Sequence, residues 1–292
     1  MGETTASEAV AEALERLILD IATSSHDDIE SRWKRLLKRA EAIKRNAIAC
    51  ANESQANVAW FLFRFCDVNV QYLQAWAQLN ASRFYDAWVT LERIEISCAT
   101  LFRNRHLAPE GIDQSSIGSQ VNEWQKLFPY KIFGSPEMVV RRYECSICGL
   151  STDPWSGCTH RKGKVYMGQD CYHIARDVSI VGISLVHDPV QKYSVLFAHG
   201  NDHFSFDPVR FVRDRLMSPR DRFTSTKGTA YHPHERFADV TPTSPCPCDS
   251  GSSYERCCLS MPGVVRPHLQ VEFSGPIKAD LPTFILPDRA GD

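Results

Sequence analysis

The sequence predicts an α+β protein. An antiparallel helical bundle is expected over residues 1–108 and a small mixed α/β domain built on a cysteine and histidine cluster over 109–205. A mildly basic linker would fill 206–244, and a cysteine-rich module with a tail 245–292. Three observations predict this. Apolar residues keep a helical spacing through the first part of the chain, β-branched runs bounded by Gly, Pro or Asp appear only after it, and eight of the eleven cysteines fall in two short clusters. At 292 residues the chain exceeds what one hydrophobic core commonly fills, so about two compact units are expected. Its 43% apolar and 23% charged residues are the mix of a folded protein and exclude a disordered charged tail or a fibrous repeat. A formal net charge of −2 excludes a global field that would draw the chain onto nucleic acid or an anionic membrane, so any such contact must be local.

The bundle is justified helix by helix. Thr5-Ala6-Ser7-Glu8 has the capping-box pattern, in which hydroxyl and carboxylate satisfy each other's free amide donors, and Val10, Leu14, Leu17, Ile18 and Ile21 then share a face. Asp27 and Asp28 suit a first helical turn, and Ile29, Trp33, Leu36, Leu37, Ala40, Ile43 and Ala47 repeat the spacing against a face of Lys and Arg. Ala56 to Leu79 is apolar nearly all round. Ala81 to Arg105 carries a stripe of Phe84, Trp88, Leu91, Ile94, Glu95, Cys98 and Phe102, and the two segments make a hairpin that turns near Asn80. Val58 to Leu79 is long enough to cross a bilayer, but Arg64, Asp67 and several Gln and Asn would be stranded there, so it reads as a buried helix with no membrane partner. Glu92 and Glu95 lack the Glu-x-x-His pairing of carboxylate-bridged metal bundles and read as a solvated or hydrogen-bonded helix face. Cys50, Cys66 and Cys98 read as small core hydrophobes.

Around Leu107 to Gly111 the helical period breaks, and through Ser119 the chain is rich in Gly and Ser. Downstream, Met138-Val139-Val140, Ile180 to Val186 and Tyr193 to Ala198 read as strands. Between 206 and 236, Arg210, Arg213, Arg215, Arg220, Arg222, Lys227 and Arg236 outnumber Asp207, Asp214, Asp221 and Glu235, a mildly basic segment. No export signal is visible in residues 1–20. Cysteine clusters in such a chain are explained by metal thiolates in a reducing cytoplasm rather than by disulfides.

In Pro245-Cys246-Pro247-Cys248-Asp249-Ser250-Gly251-Ser252-Ser253-Tyr254-Glu255-Arg256-Cys257-Cys258, four thiols lie close enough in sequence to converge on one ion. Zinc suits such a set, since it takes four soft ligands in a tetrahedron and supplies folding free energy that so short a segment lacks. Cys-x-Cys, eight intervening residues and a terminal Cys-Cys resemble the SEC-C motif, the zinc module named for the carboxy terminus of the Sec translocation motor. The resemblance covers these residues alone and implies Cys246, Cys248, Cys257 and Cys258 as zinc ligands. This chain departs from the motif with Asp249 where Gly is usual, Ser252-Ser253 where a Lys pair is usual, and Glu255-Arg256 where further Lys is usual. That removes positive surface through which such a module could meet an acidic partner. A closed four-thiolate shell leaves no coordination position for a substrate and is structural or adhesive.

The middle cluster is Cys145-Ser146-Ile147-Cys148, Cys158-Thr159-His160 and Cys171-Tyr172-His173. Cys-x-x-Cys followed by Gly149 has the form of a zinc knuckle. Cys158 and His160 are the nearest second pair and would complete a Cys₃His site with Cys145 and Cys148, with Cys171 the rival for the fourth position. A redox dithiol at Cys145 and Cys148 would want a long helix to follow, where the chain has Gly149, Asp153, Pro154 and Gly157. The stretch from Tyr143 to Pro189 is also similar to a Cys/His, zinc-ribbon-like module of uncharacterised prokaryotic and phage proteins, a resemblance that implies no activity.

Catalytic signatures are absent from the sequence. His199-Gly200-Asn201-Asp202-His203 lacks the helix and glutamate of a zinc protease pair, Tyr231-His232-Pro233-His234 reads as an exposed polar loop, and neither a phosphate-binding loop nor a Gly-x-Ser-x-Gly elbow is present. The sequence therefore predicts a zinc-binding protein-interaction protein of adaptor type, with two zinc ions, a protein partner and no evident small-molecule substrate. The alternative is nucleic-acid binding through the zinc modules, the Arg210 to Arg222 segment and exposed aromatics such as Trp155 and Tyr166. A metal-dependent hydrolase or nuclease is a third class.

Overall fold

A computed structural model describes residues 6–22, 29–112, 115–197 and 204–278. The fold is mixed, with six α-helices and three small antiparallel sheets among the described residues, and the chain divides into two compact units: residues 1–125 with 130–196, and 126–129 with 197–292. No helix among the described residues is long and apolar enough to cross a membrane.

In the first unit, α1 (Ala6–Ala22) buries Val10, Leu14, Leu17 and Ile21, and α2 (Ile29–Ala49) buries Trp33, Leu36, Ala40, Ile43 and Ala47, the faces their spacing anticipates. Thr5 of the capping pattern, and Asp27 and Asp28, lie outside the described residues. Both helices pack on Ala56, Ala59, Leu62, Phe65 and Cys66 of α3 (Glu53–Asn80), with Trp33 edge-on to Phe65 at 5.9 Å. Asn52 caps α3: its side-chain oxygen accepts from the Gln55 amide at 3.1 Å while its NH₂ donates to Ser7 at 3.0 Å, which ties the start of α3 to α1. Cys66 is core, as its burial and a thiol pKa pushed up to about 12 by desolvation both say.

Helix α4 (Phe84–Arg103) buries Phe84, Trp88, Leu91 and Ile94, but the expected stripe fails at its end. Phe102 is 64% exposed and Leu101 is buried in its place, because the buried face drifts around a straight helix over successive turns. The Gly/Ser-rich break beyond it also differs from expectation: after Arg105–Leu107, a 3₁₀ turn, Ser115–Leu127 forms α5. Serines at its first turn conceal the period, yet Val121 and Trp124 are fully buried, and the Trp124 indole donates to the Tyr72 hydroxyl at 3.3 Å.

Strands β1 (Phe133–Cys145) and β4 (His173–Val186) form a long two-stranded ribbon with a bulge at Glu137/Met138. Both extend well beyond the apolar runs expected. Their polar parts are held by cross-strand ion pairs, Arg176 to Glu144 at 2.8 Å and Arg142 to Asp177 at 3.6 Å, which apolar periodicity cannot reveal. Tyr193 to Ala198 is not a strand: Val195 makes one isolated bridge to Phe133, and Ala198 is outside the described residues. Residues 191–194 are instead strapped to α4. Lys192 Nζ binds the Glu95 carboxylate at 2.7 Å and Gln125 at 2.8 Å, the Lys192 amide donates to Glu92, and the Trp88 indole donates to the Lys192 carbonyl at 2.6 Å. Glu92 is thus a buried, hydrogen-bonded group, its pKa raised by desolvation and held back by the amides of Lys192 and Tyr193. Between the ribbon strands, β2 (Val165–Tyr166) and β3 (Gln169–Asp170) form a hairpin whose turn residues, Met167 and Gly168, both have positive φ.

In the second unit, residues 206–244 are folded rather than a linker. They carry α6 (Asp207–Arg215) and β5 (Phe223–His232), and β5 pairs along its full length with β6 (Val264–Phe273). Tyr231 and His232 therefore lie in a strand, with His232 only 5% exposed, and not in a polar loop. The pairing partner is separated from β5 by the whole cysteine loop, so no local signal announces it. Gly263 is required at the return: a Cβ there would lie 2.4 Å from the His232 carbonyl oxygen.

Candidate metal centres

The C-terminal cysteines lie in the connection between β5 and β6. Backbone bonds from Cys246 N–H to Ser252 O at 2.8 Å and Tyr254 N–H to Ser244 O at 2.9 Å pinch its two limbs together, and 3₁₀ turns at Tyr254–Arg256 and Cys258–Ser260 direct Cys257 and Cys258 inward. The Sγ atoms of Cys246, Cys248, Cys257 and Cys258 all lie within 4.8 Å of one another, with Cys248 to Cys257 at 3.4 Å and Cys257 to Cys258 at 3.8 Å. Cys246 and Cys258 form the buried floor with Tyr254 and Val264.

Arg266 and Ser250, which the sequence did not flag, shape this loop together with Asp249. Arg266 of β6, only 4% exposed, donates to the Pro247 carbonyl and pairs with the Asp249 carboxylate at 3.3 Å. Asp249 has φ +60°, the left-handed region, which explains why glycine suits this position and why Asp, a short polar residue that tolerates it, can replace glycine. Ser250 Oγ lies 3.2 Å from Cys257 Sγ. The Ser250 hydroxyl, with help from the Cys246 and Cys257 thiols, pulls Cys248 down to about 6, whereas desolvation and the neighbouring thiols push Cys258 up to about 12. Crowded thiols of this kind compete for negative charge, and a divalent cation reverses that field and deprotonates them.

In the first unit, β1 ends at Cys145 and turns through a knuckle. Gly149 N–H donates to the Cys145 carbonyl at 2.8 Å, Ile147 N–H points at Cys145 Sγ at 3.4 Å, and Gly149 takes φ +73°. The donor atoms of Cys145, Cys148, Cys158 and His160 lie within 4.8 Å of one another, Cys148 and Cys158 Sγ being 3.7 Å apart. Cys171, the rival, places its Sγ 3.8 Å from that of Cys145. Burial would raise Cys145, but the amides of Cys148 and Ile147 and the thiols of Cys148 and Cys171 bring it to about 6. Desolvation, then the Cys145 thiol, push Cys171 up to about 11.

This cluster is anchored to helices. Arg64 of α3 pairs with Asp170 at 3.0 Å, Asn57 accepts from Gly168 N–H at 2.8 Å, and Asn104 donates to the Gly163 carbonyl at 2.9 Å. Arg64, an obstacle to a membrane reading in the sequence, thus has a specific partner. Its pairing spans too much sequence to be read from either segment alone.

Both clusters offer sulfur-rich donor sets that could hold metal ions, and all eleven cysteines are free thiols. Of the other candidate groups, His199 to His203 lie outside the described residues. His234 is structural: its Nδ1 meets the Tyr254 hydroxyl at 2.5 Å and its Nε2 the Met261 carbonyl at 2.9 Å. Comparison with protein-family models, curated proteins and solved structures finds no match.

Proposed function

We propose that this chain is a zinc-binding, adaptor-type interaction protein of the cytoplasm, that both clusters hold structural zinc, and that residues 245–258 are a SEC-C module. The zinc reading is supported by two sets of four converging donors, three or four of them sulfur in each, which is the ligand chemistry zinc selects. A four-coordinate shell of protein donors leaves no position to polarise a substrate, so the ions serve folding.

The observation that carries the interaction reading is the β1–β4 ribbon. Its register puts Met138, Val178, Ile180, Ile183 and Leu185 on one face and Ser135, Glu137, Ser179 and Ser184, with Val139 among them, on the other. The apolar face is open: Ile180 is 70%, Ile183 75% and Leu185 70% exposed. A contiguous apolar face beside a polar one is the patterning of a surface made to be covered, and a partner protein would cover it. Nucleic acid is less well matched, because Arg210 is paired with Asp207 at 3.2 Å, Arg213 with Asp214 at 2.7 Å, and Arg215 is buried.

The test is affinity capture with the intact protein and with Ile183→Asp. The reading expects a partner retained by the first and lost by the second, with unchanged folding of both, and flow-through on heparin at moderate salt. Steeply salt-dependent retention on heparin, or capture indifferent to Ile183→Asp, would overturn it.

A further inference from the structure

Cys145, Cys148, Cys158 and His160 lie within 4.8 Å of one another and Cys171 stands outside that set, against Cys145 alone; the individual distances nevertheless differ, and the geometry points to a sulfur-only site in which Cys171, not His160, is the fourth ligand. The inference rests on the zinc reading above.

A tetrahedral ion with sulfur at about 2.3 Å sets neighbouring sulfurs about 3.8 Å apart, and a sulfur and a nitrogen ligand about 3.6 Å apart. Two pairs without a common member, Cys145 with Cys171 at 3.8 Å and Cys148 with Cys158 at 3.7 Å, match opposite edges of such a tetrahedron. His160 Nδ1 is 4.0 Å from Cys158 Sγ, longer than a shared-ion edge and within reach of an N–H donated to sulfur.

The backbone supports the same choice. Cys171 is gripped on both sides: its N–H donates to the Lys164 carbonyl at 2.8 Å and its carbonyl accepts from Gly163 at 2.7 Å. The next residue exchanges bonds with the knuckle itself, Ser146 N–H to the Tyr172 carbonyl at 2.9 Å and Tyr172 N–H to Ser146 Oγ at 2.9 Å. Cys171 and Cys145 are each 1% exposed and form the floor of the cluster. His160 is held by its ring, edge-on to Tyr166 at 4.7 Å. It acts as a positioning residue that donates to the Cys158 thiolate. Such outer-shell bonds orient a ligand and tune its charge without adding to the coordination number.

The experiment compares full-length wild type, His160→Ala and Cys171→Ser by zinc content and by X-ray absorption at the zinc edge. Wild type and His160→Ala should each carry two zinc ions with a sulfur shell near 2.3 Å and no nitrogen shell near 2.0–2.1 Å, and Cys171→Ser should carry one. Loss of a zinc from His160→Ala, retention of both by Cys171→Ser, or a nitrogen shell in wild type would each overturn the assignment. Should Cys171→Ser misfold for want of packing alone, the nitrogen shell of wild type and the zinc content of His160→Ala decide independently of it. A wild type with fewer than two zinc ions overturns the zinc reading itself, a result distinct from wild type with two ions of which one depends on His160.

Discussion

Helices α1 to α3 and the loop between β5 and β6 reach order by opposite routes. The helices bury a long run of side chains from Val10 to Phe65, each fixed by a period that repeats along the chain. The loop has a floor of only Cys246, Tyr254, Cys258 and Val264, far too little apolar surface to offset the entropy of ordering its backbone. On the zinc reading, one region folds without an ion, and the other would depend on its donors being drawn together by one. The thiols that look like core residues in both settings are raised alike by desolvation and differ in their neighbours: Cys66 sits among hydrophobes, while Cys258 faces three other thiols.

The sharpest way to break the comparison is to remove one ligand. Cys246→Ser should lose one of two zinc ions and, since structural zinc contributes on the order of 10 kcal/mol to small modules, abolish order in residues 244–261 while the helices keep their melting transition. Circular dichroism with zinc analysis checks it, and loss of helical signal would contradict it. The converse substitution, Leu62→Ala in the fully buried core, should cost about 2–5 kcal/mol in denaturant stability and leave the zinc content at two.

A smaller effect sits on the β5–β6 ribbon. Desolvation, then His268, Arg236 and Arg266, lower the His232 pKa, so the folded state resists a proton that the unfolded state accepts. Stability from this group is fully present above about pH 6.5 and falls as the pH drops through that value toward the folded pKa. His232→Gln should flatten the decline in urea midpoint of the second unit between pH 7 and 5.5, with zinc content followed in parallel. A wild-type slope retained in the variant would assign the decline to another group. The smallest stability effect is expected for Ile183→Asp on the open ribbon face, within about 0.5 kcal/mol, despite its effect on capture. A truncation at Thr243 would be a poor substitute for these changes, since it removes β6 and with it the partner of β5.

What could be read from the sequence follows the same division. Periodicity located the buried faces of α1, α2 and most of α4, and cysteine spacing identified both donor clusters, because each signal lies within one short segment. The rest depends on residues far apart. His232 looked exposed because its cover comes from β6, residues 206–244 looked like a linker because their strand pairs across the cysteine loop, and the polar half of β1 is fastened by ion pairs to β4. Ser115 and Ser116 hid a helix whose buried face begins only at Gln120 and Val121. Arg266, which closes the Cys-Pro-Cys turn over Asp249, carries no local mark of that role. The identity of the fourth donor in the middle cluster also turns on three-dimensional distances, since His160 is nearer in sequence to Cys158 and Cys171 nearer in space to Cys145.

The central claim, that two sulfur-rich cages each enclose a zinc ion, is tested most directly by native mass spectrometry of the intact chain purified without chelator. Two zinc ions per chain, released as acidification protonates their thiolate ligands, is the predicted result. A chain that binds none when zinc is supplied to its reduced thiols would contradict it.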